Sequence, residues 1–192
     1  MYAGKDIEKI PPEIGVYSLI RKVPQQQKHR EWIYTGMSGN LKIRVGEHLK
    51  EQTGTYSGNK NAASLNLERL TNVRWWDLSN LEWPNDVENH YINKKGEHVK
   101  VDKENKKEWV LAIAGGAEII IKSRFPPMLD DQSKPKGMAI ELSKSQDFIS
   151  KIENIIEDYA ELELPSQENL NRKIKELEMR ILNLEERFDQ KS

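Results

Sequence analysis

The chain has 192 residues, 36% hydrophobic and 32% charged, with a net charge of -1. It contains no cysteine, which excludes disulfide frameworks, thiolate zinc sites and cysteine nucleophiles. No apolar run approaches membrane-spanning length and the first residues lack a hydrophobic stretch, so a cytoplasmic protein with no membrane partner is expected. The charge is spread unevenly: residues 1–60 hold 10 Lys and Arg against 6 Asp and Glu, residues 61–140 hold 12 and 12, and residues 141–192 hold 8 and 13. A basic front and an acidic tail are compatible with DNA contact through the front.

Residues 14–22 (IGVYSLIRK) and 31–36 (EWIYTG) are rich in β-branched and aromatic residues, and a polar link containing Pro24 and three glutamines separates them. This pattern predicts a hairpin with a long loop. In the SGNLKIRVGEHL stretch, Leu41, Arg44, Val45, His48 and Leu49 recur at helical spacing, with Asn40 placed to cap the helix. Gly46 costs that helix about 1 kcal/mol relative to Ala, so it needs tertiary support. After a Gly/Ser/Asn-rich loop over 53–62, residues 72–76 (NVRWW) predict a third strand. Residues 79–106 are polar and irregular and read as a surface insertion, with a short hairpin around 93–96. A mostly apolar helix is expected from about 104 to 124, ended by Phe125-Pro126-Pro127.

The last third is expected to be helical. Ile152, Ile155, Ile156, Tyr159 and Leu162 form one apolar stripe, broken at Pro165. From Ser166 onward, Leu170, Ile174, Leu177, Ile181, Leu184 and Phe188 alternate at spacings of 4 and 3. This is a heptad seam with Ile at a and Leu at d, the choice that favours parallel two-stranded coiled coils. The expected organisation is therefore a domain over 1–140, with the insertion at 79–106, and a helical arm over 141–192 whose segment 166–189 joins two copies. The fold class expected is α+β: a small three-stranded sheet, mixed or antiparallel, flanked by helices.

Five residues stand out chemically. Tyr17 and Tyr34 lie on adjacent predicted strands, and Arg44 and His48 are one turn apart on a helix face. Glu118 sits in an otherwise apolar helix, where a carboxylate is expensive to bury unless it is paired or bound to a cation. Two phenols, a guanidinium, an imidazole and a carboxylate suit phosphodiester hydrolysis, although tyrosines in strands and Arg/His pairs on helices more often serve packing and solvation.

The order of these residues resembles the GIY-YIG nuclease family. Gly15-Val16-Tyr17 stands for GIY and Tyr34-Thr35-Gly36 for YIG; SGNLKIRVGEHL is similar to the family's loop and first helix, and AEIIIKSRFPPMLDD to its later metal-binding helix. Thr35 replaces an aliphatic residue, and Asp130 stands where the family carries Asn. The resemblance implies a single-metal DNA endonuclease. Glu118 would hold Mg²⁺ or Mn²⁺, Tyr17 would act as general base once nearby positive charge activates it, and Arg44 would stabilise the phosphate charge. Tyr34 would bond the phosphate or the attacking water, and His48 would orient or relay for Tyr17. Lys42, Ser38 and Asn40 are the expected DNA-backbone contacts. A restriction- or defence-like enzyme acting as a homodimer is the leading expectation, beside a structure-specific repair or mobile-element nuclease. A catalytically inactive DNA-binding or scaffold module, or an unrelated α+β protein, is the alternative.

The tail expectation has a direct test. A helix over 166–189 would span about 36 Å at 1.5 Å per residue and expose its apolar stripe unless a partner covers it. Sedimentation should therefore show a dimer for the full chain and a monomer for a chain ending at Leu164. Two monomeric species would return the seam to a helix folded back on its own domain.

Overall fold

A computed structural model describes residues 7–22, 30–51, 70–129 and 137–163; His29, Asp130, the loop 53–62 and the heptad segment 166–189 lie outside these. Strands β1 (Gly15–Lys22) and β2 (Arg30–Ser38) form the expected hairpin, and α1 (Leu41–Glu51) follows. Asn40 caps α1 as expected, its Oδ1 accepting from the Ile43 N–H at 3.0 Å. Strand β3 (Asn72–Asp77) pairs with the other edge of β1. The insertion carries the short hairpin β4 (His90–Ile92) and β5 (His98–Lys100), and α2 spans Lys106–Arg124. Helices α3 (Met138–Lys144) and α4 (Gln146–Glu157) and strand β6 (Ala160–Glu163) complete the described chain. Among the described residues no helix is long and apolar enough to cross a membrane.

The protein is α+β, but the central sheet has four strands rather than three, all antiparallel, in the order β2-β1-β3-β6. The fourth comes from residues expected to extend a helix. Helix α4 ends at Glu157, where the Asp158 N–H closes on the Ile155 carbonyl. Ala-Glu-Leu-Glu then alternates with a period of two: Leu162 is buried against Val73 while Glu161 meets Arg74 on the opposite face. Ile152 and Ile156 do line the buried face of α4, but Tyr159 and Leu162 are not part of that stripe.

A strand's alternation sorts side chains onto two faces, and each face has its own core. On one face Val16 and Trp76 pack with Ile113, Ala117 and Ile121 of α2, Leu142 of α3, and Phe148, Ile152 and Ile156 of α4. On the other, Tyr17, Leu19, Val73, Trp75 and Leu162 pack against Leu41 and Val45 of α1 and Ile10. The arm expected to start at 141 is thus integral to the first core through Glu157, and β6 continues the sheet. A register shift between Leu19 and Ile20 leaves Ile33 without a direct partner, Leu19 pairing with Tyr34 and Ile20 with Trp32. This bulge sends Trp32 into the α2 layer and Tyr34 into the α1 layer. Gly15 fits only because it lacks a side chain: a Cβ there would lie 2.3 Å from the Trp76 carbonyl oxygen and 2.6 Å from Leu41.

Arg74 fastens β6 to the sheet. Its Nε and Nη2 donate to Glu161 Oε2 at 3.1 and 2.7 Å, and its guanidinium lies 3.5 Å from the Tyr159 ring centroid and 5.0 Å from that of Trp32. Asn72 donates to the other Glu161 oxygen at 2.7 Å. Removing one partner of a buried ion pair strands the other charge, at about 3–5 kcal/mol. Arg74→Ala should lower the unfolding free energy by that amount in urea denaturation; a change below about 1 kcal/mol, the range of surface ion pairs, would show that β6 is held by its backbone and Leu162 alone.

Candidate active site

Tyr17 projects from the middle of β1 with no exposed surface, and a buried phenol needs a partner for its hydroxyl. His48, one turn past Arg44 on α1, supplies it: Tyr17 Oη and His48 Nε2 are 2.7 Å apart. Tyr34 joins from β2, its ring centroid 6.1 Å from that of Tyr17 and 5.6 Å from that of His48. The Arg44 guanidinium is in hydrogen-bonding and Coulombic contact with the Tyr17 hydroxyl, and its Nη1 donates to Glu47 Oε2 at 2.9 Å. Four of the five expected residues therefore meet on the α1 face of the sheet, drawn from two strands and a helix.

Gly36 explains how the phenols come so close to the β2 backbone. A Cβ at this position would lie 2.8 Å from Tyr17 Oη and 2.9 Å from Tyr34 Oη, so both hydroxyls flank the space that a side chain would take. The sequence reading had no reason to separate Gly15 from Gly36, and the two differ in kind. Gly15 admits backbone and a core leucine, whereas Gly36 admits the two reactive groups.

Burial pushes the Tyr17 phenol well above its ordinary value of 10, and the neighbouring Tyr34 adds to this. Arg44 pulls it back only in part, so positive charge does not make Tyr17 a phenolate here. His48 moves the other way: burial, reinforced by the Arg44 charge, lowers its imidazole to about 4. At neutral pH the pair is a phenol hydrogen-bonded to a neutral imidazole.

Glu118 lies on α2, in the layer on the other side of the sheet, and its carboxylate is paired with Lys122 at 2.8 Å. Its height along the edge strand follows from three contacts. A Cβ on Gly39 would touch Val110 at 3.2 Å, one on Gly115 would lie 3.7 Å from Met37 Sδ, and Phe125 stacks on Trp32 with centroids 4.3 Å apart. Helix α2 thus runs antiparallel to β2. Ten helical residues rise about 15 Å and five strand residues about 16 Å, so the two keep pace. Glu118, three residues past Gly115, stands level with Gly36 across the sheet's edge strand.

The remaining expected contacts have local structural work. Ser38 Oγ donates to the Asn40 carbonyl at 2.8 Å and accepts from the Asn40 N–H at 2.9 Å, shaping the turn from β2 into the α1 cap. Lys42 is paired with Glu8 at 2.5 Å, tying α1 to the turn at Ile7–Lys9. Sequence reasoning missed Glu47 and Lys122, although their spacings of three and four from Arg44 and Glu118 announce both pairs. His90 and His98, expected in loops, are on the exposed strands β4 and β5.

The buried histidine makes stability pH-dependent. Neutral when folded and titrating near 6.5 when unfolded, His48 binds fewer protons in the native state. Its contribution is complete above about pH 6.5 and is lost as pH falls toward 4, an effect of about 3 kcal/mol. The unfolding free energies of wild type and His48→Gln should therefore converge between pH 7 and pH 4; parallel pH curves would mean the imidazole is solvated. In comparisons with known proteins, the chain matches no family model, no curated protein and no solved structure.

Proposed function

We propose that this chain is a divalent-metal-dependent DNA endonuclease of the GIY-YIG kind, hydrolysing phosphodiester bonds at the Tyr17–Tyr34–Arg44–His48 cluster. The observation that carries the reading is the cluster itself. Residues 17, 34, 44 and 48, singled out by their order alone, occupy one site whose hydroxyls lie against a glycine of the same motif.

A metal fits Glu118 on chemical grounds. The carboxylate sits in an apolar helix at 17% exposure and already carries a cation, the Lys122 ammonium. Among the described residues no group of three or more His, Asp or Glu gathers as a metal cluster. An ion there takes its other ligands from water and the substrate, as Mg²⁺ commonly does in phosphoryl chemistry. When bound, Mg²⁺ or Mn²⁺ supplies Lewis-acid stabilisation of the phosphate and of the leaving 3′-oxygen.

The protein's own groups move the proton. Tyr17 is no base as a high-pKa phenol; it becomes a relay if its proton passes to His48 Nε2 as it receives one from the attacking water. A neutral His48 is in the right state to accept. Arg44, held on one side by Glu47, turns the rest of its fork to the phosphate oxygens. Tyr34 offers a hydroxyl beside that of Tyr17 to bind the water or a phosphate oxygen. One such site cuts one strand, so duplex cleavage calls for two copies, the role proposed for the heptad segment 166–189 in a restriction- or defence-like dimer.

A non-catalytic DNA-binding module of the same fold is the second reading, favoured by the complete burial of Tyr17 and the lysine on Glu118. Incubation with plasmid, branched DNA and RNA in Mg²⁺, Mn²⁺ and EDTA separates the two. Cleavage should depend on metal, Glu118→Gln should abolish it with gel-shift affinity largely intact, and Tyr17→Phe should slow it by about 10²–10⁴-fold. Binding without cleavage of any substrate would select the second reading. Normal turnover by Glu118→Gln would move the metal to other carboxylates, Asp130 and Asp131 first.

A further inference from the structure

We infer that Lys122 is the resident counter-ion of the metal site, and that a divalent cation binds Glu118 by displacing it. The inference rests on the reading of Glu118 as the metal ligand. Three observations carry it. The ammonium lies 2.8 Å from Glu118 Oε1, within the first shell of the oxygen an ion would coordinate. The pair is withdrawn from solvent, at 18% and 17% exposure, whereas Arg124–Glu153 at 57% and 43% and Lys144–Glu141 at 68% and 62% are solvated surface pairs. It also stands on a helix whose neighbouring Ala117, Ile120 and Ile121 are buried, level with Gly36 and its two phenol oxygens.

A half-buried carboxylate on such a helix is unfavourable when bare, so the metal-free protein needs a cation there. Lysine meets the need with a compact charge on a flexible stem, which can swing out of the way. An ammonium and a divalent cation cannot share one carboxylate oxygen without strong repulsion, so the two are alternatives. Metal affinity of the free chain is set by this competition. A phosphate arriving with the ion gives the released ammonium a new partner, so nucleic acid and metal should strengthen each other's binding.

Mn²⁺ titration of the full chain without nucleic acid, read by electron paramagnetic resonance, tests the inference without relying on cleavage. Lys122→Met should tighten Mn²⁺ binding by about two- to fivefold, the weight of a helical ion pair. Lys122→Gln should do the same, Lys122→Arg should leave the wild-type affinity, and Glu118→Gln should weaken binding in every background. If Glu118→Gln weakens binding but Lys122→Met and Lys122→Gln do not tighten it, Lys122 is an ordinary helix partner and the inference fails alone. If Glu118→Gln changes nothing in any background, Glu118 is not the metal ligand and the proposed site fails with it.

Discussion

A phenol with no exposed surface must find its hydrogen bond inside the protein, and Tyr17 finds it on His48. That single bond joins the central strand β1 to α1 across the smaller of the two cores, and the other site groups depend on it. It fixes the rotation of α1, which in turn sets Arg44 against the same hydroxyl. Gly36 has to be bare because the phenol is held there. Burial also decides the electrostatics, raising the phenol and lowering the imidazole until the pair is neutral in both members. Proton transfer along a neutral pair avoids the separated charges that a phenolate in this environment would require.

The hairpin, α1 with its Asn40 cap, β3, α2 and the small hairpin of the insertion were all legible, because each rests on local chemistry: β-branched alternation, a cap, a 3.6-residue period and a turn. The departures have local causes of another kind. A bulge does not announce itself in an alternating sequence, so nothing said that Trp32 and Tyr34, two residues apart, would face opposite layers. Residues 159–162 fit the phase of the preceding helical stripe, yet the chain turns at Asp158, and Arg74 with its two aromatic neighbours holds the new strand in place. That pairing spans more than 80 residues, beyond the reach of any periodicity.

At the site, residue types and order predicted which side chains would meet but not how each would be tuned. Positive charge was expected to activate Tyr17; the fold instead makes desolvation the larger effect. Ser38 and Asn40 read as phosphate contacts because polar side chains in a loop before a helix suit that role, and their bonds to backbone groups show them shaping the turn. The partners of Arg44 and Glu118 were readable from helical spacing, since an i+3 or i+4 opposite charge is a geometric fact before it is a functional one.

The sheet order has a consequence for how anything beyond the last described strand is mounted. Strand β2, with Tyr34 and Gly36, forms one margin of the sheet, and β6 forms the other. Three interstrand spacings separate them, about 14 Å. The chain therefore leaves Glu163 from the margin remote from the phenols, opposite Asn72. Whatever is tethered there is carried like a handle on the side away from the blade, leaving the margin that bears Gly36 clear for a large, rigid polymer to approach.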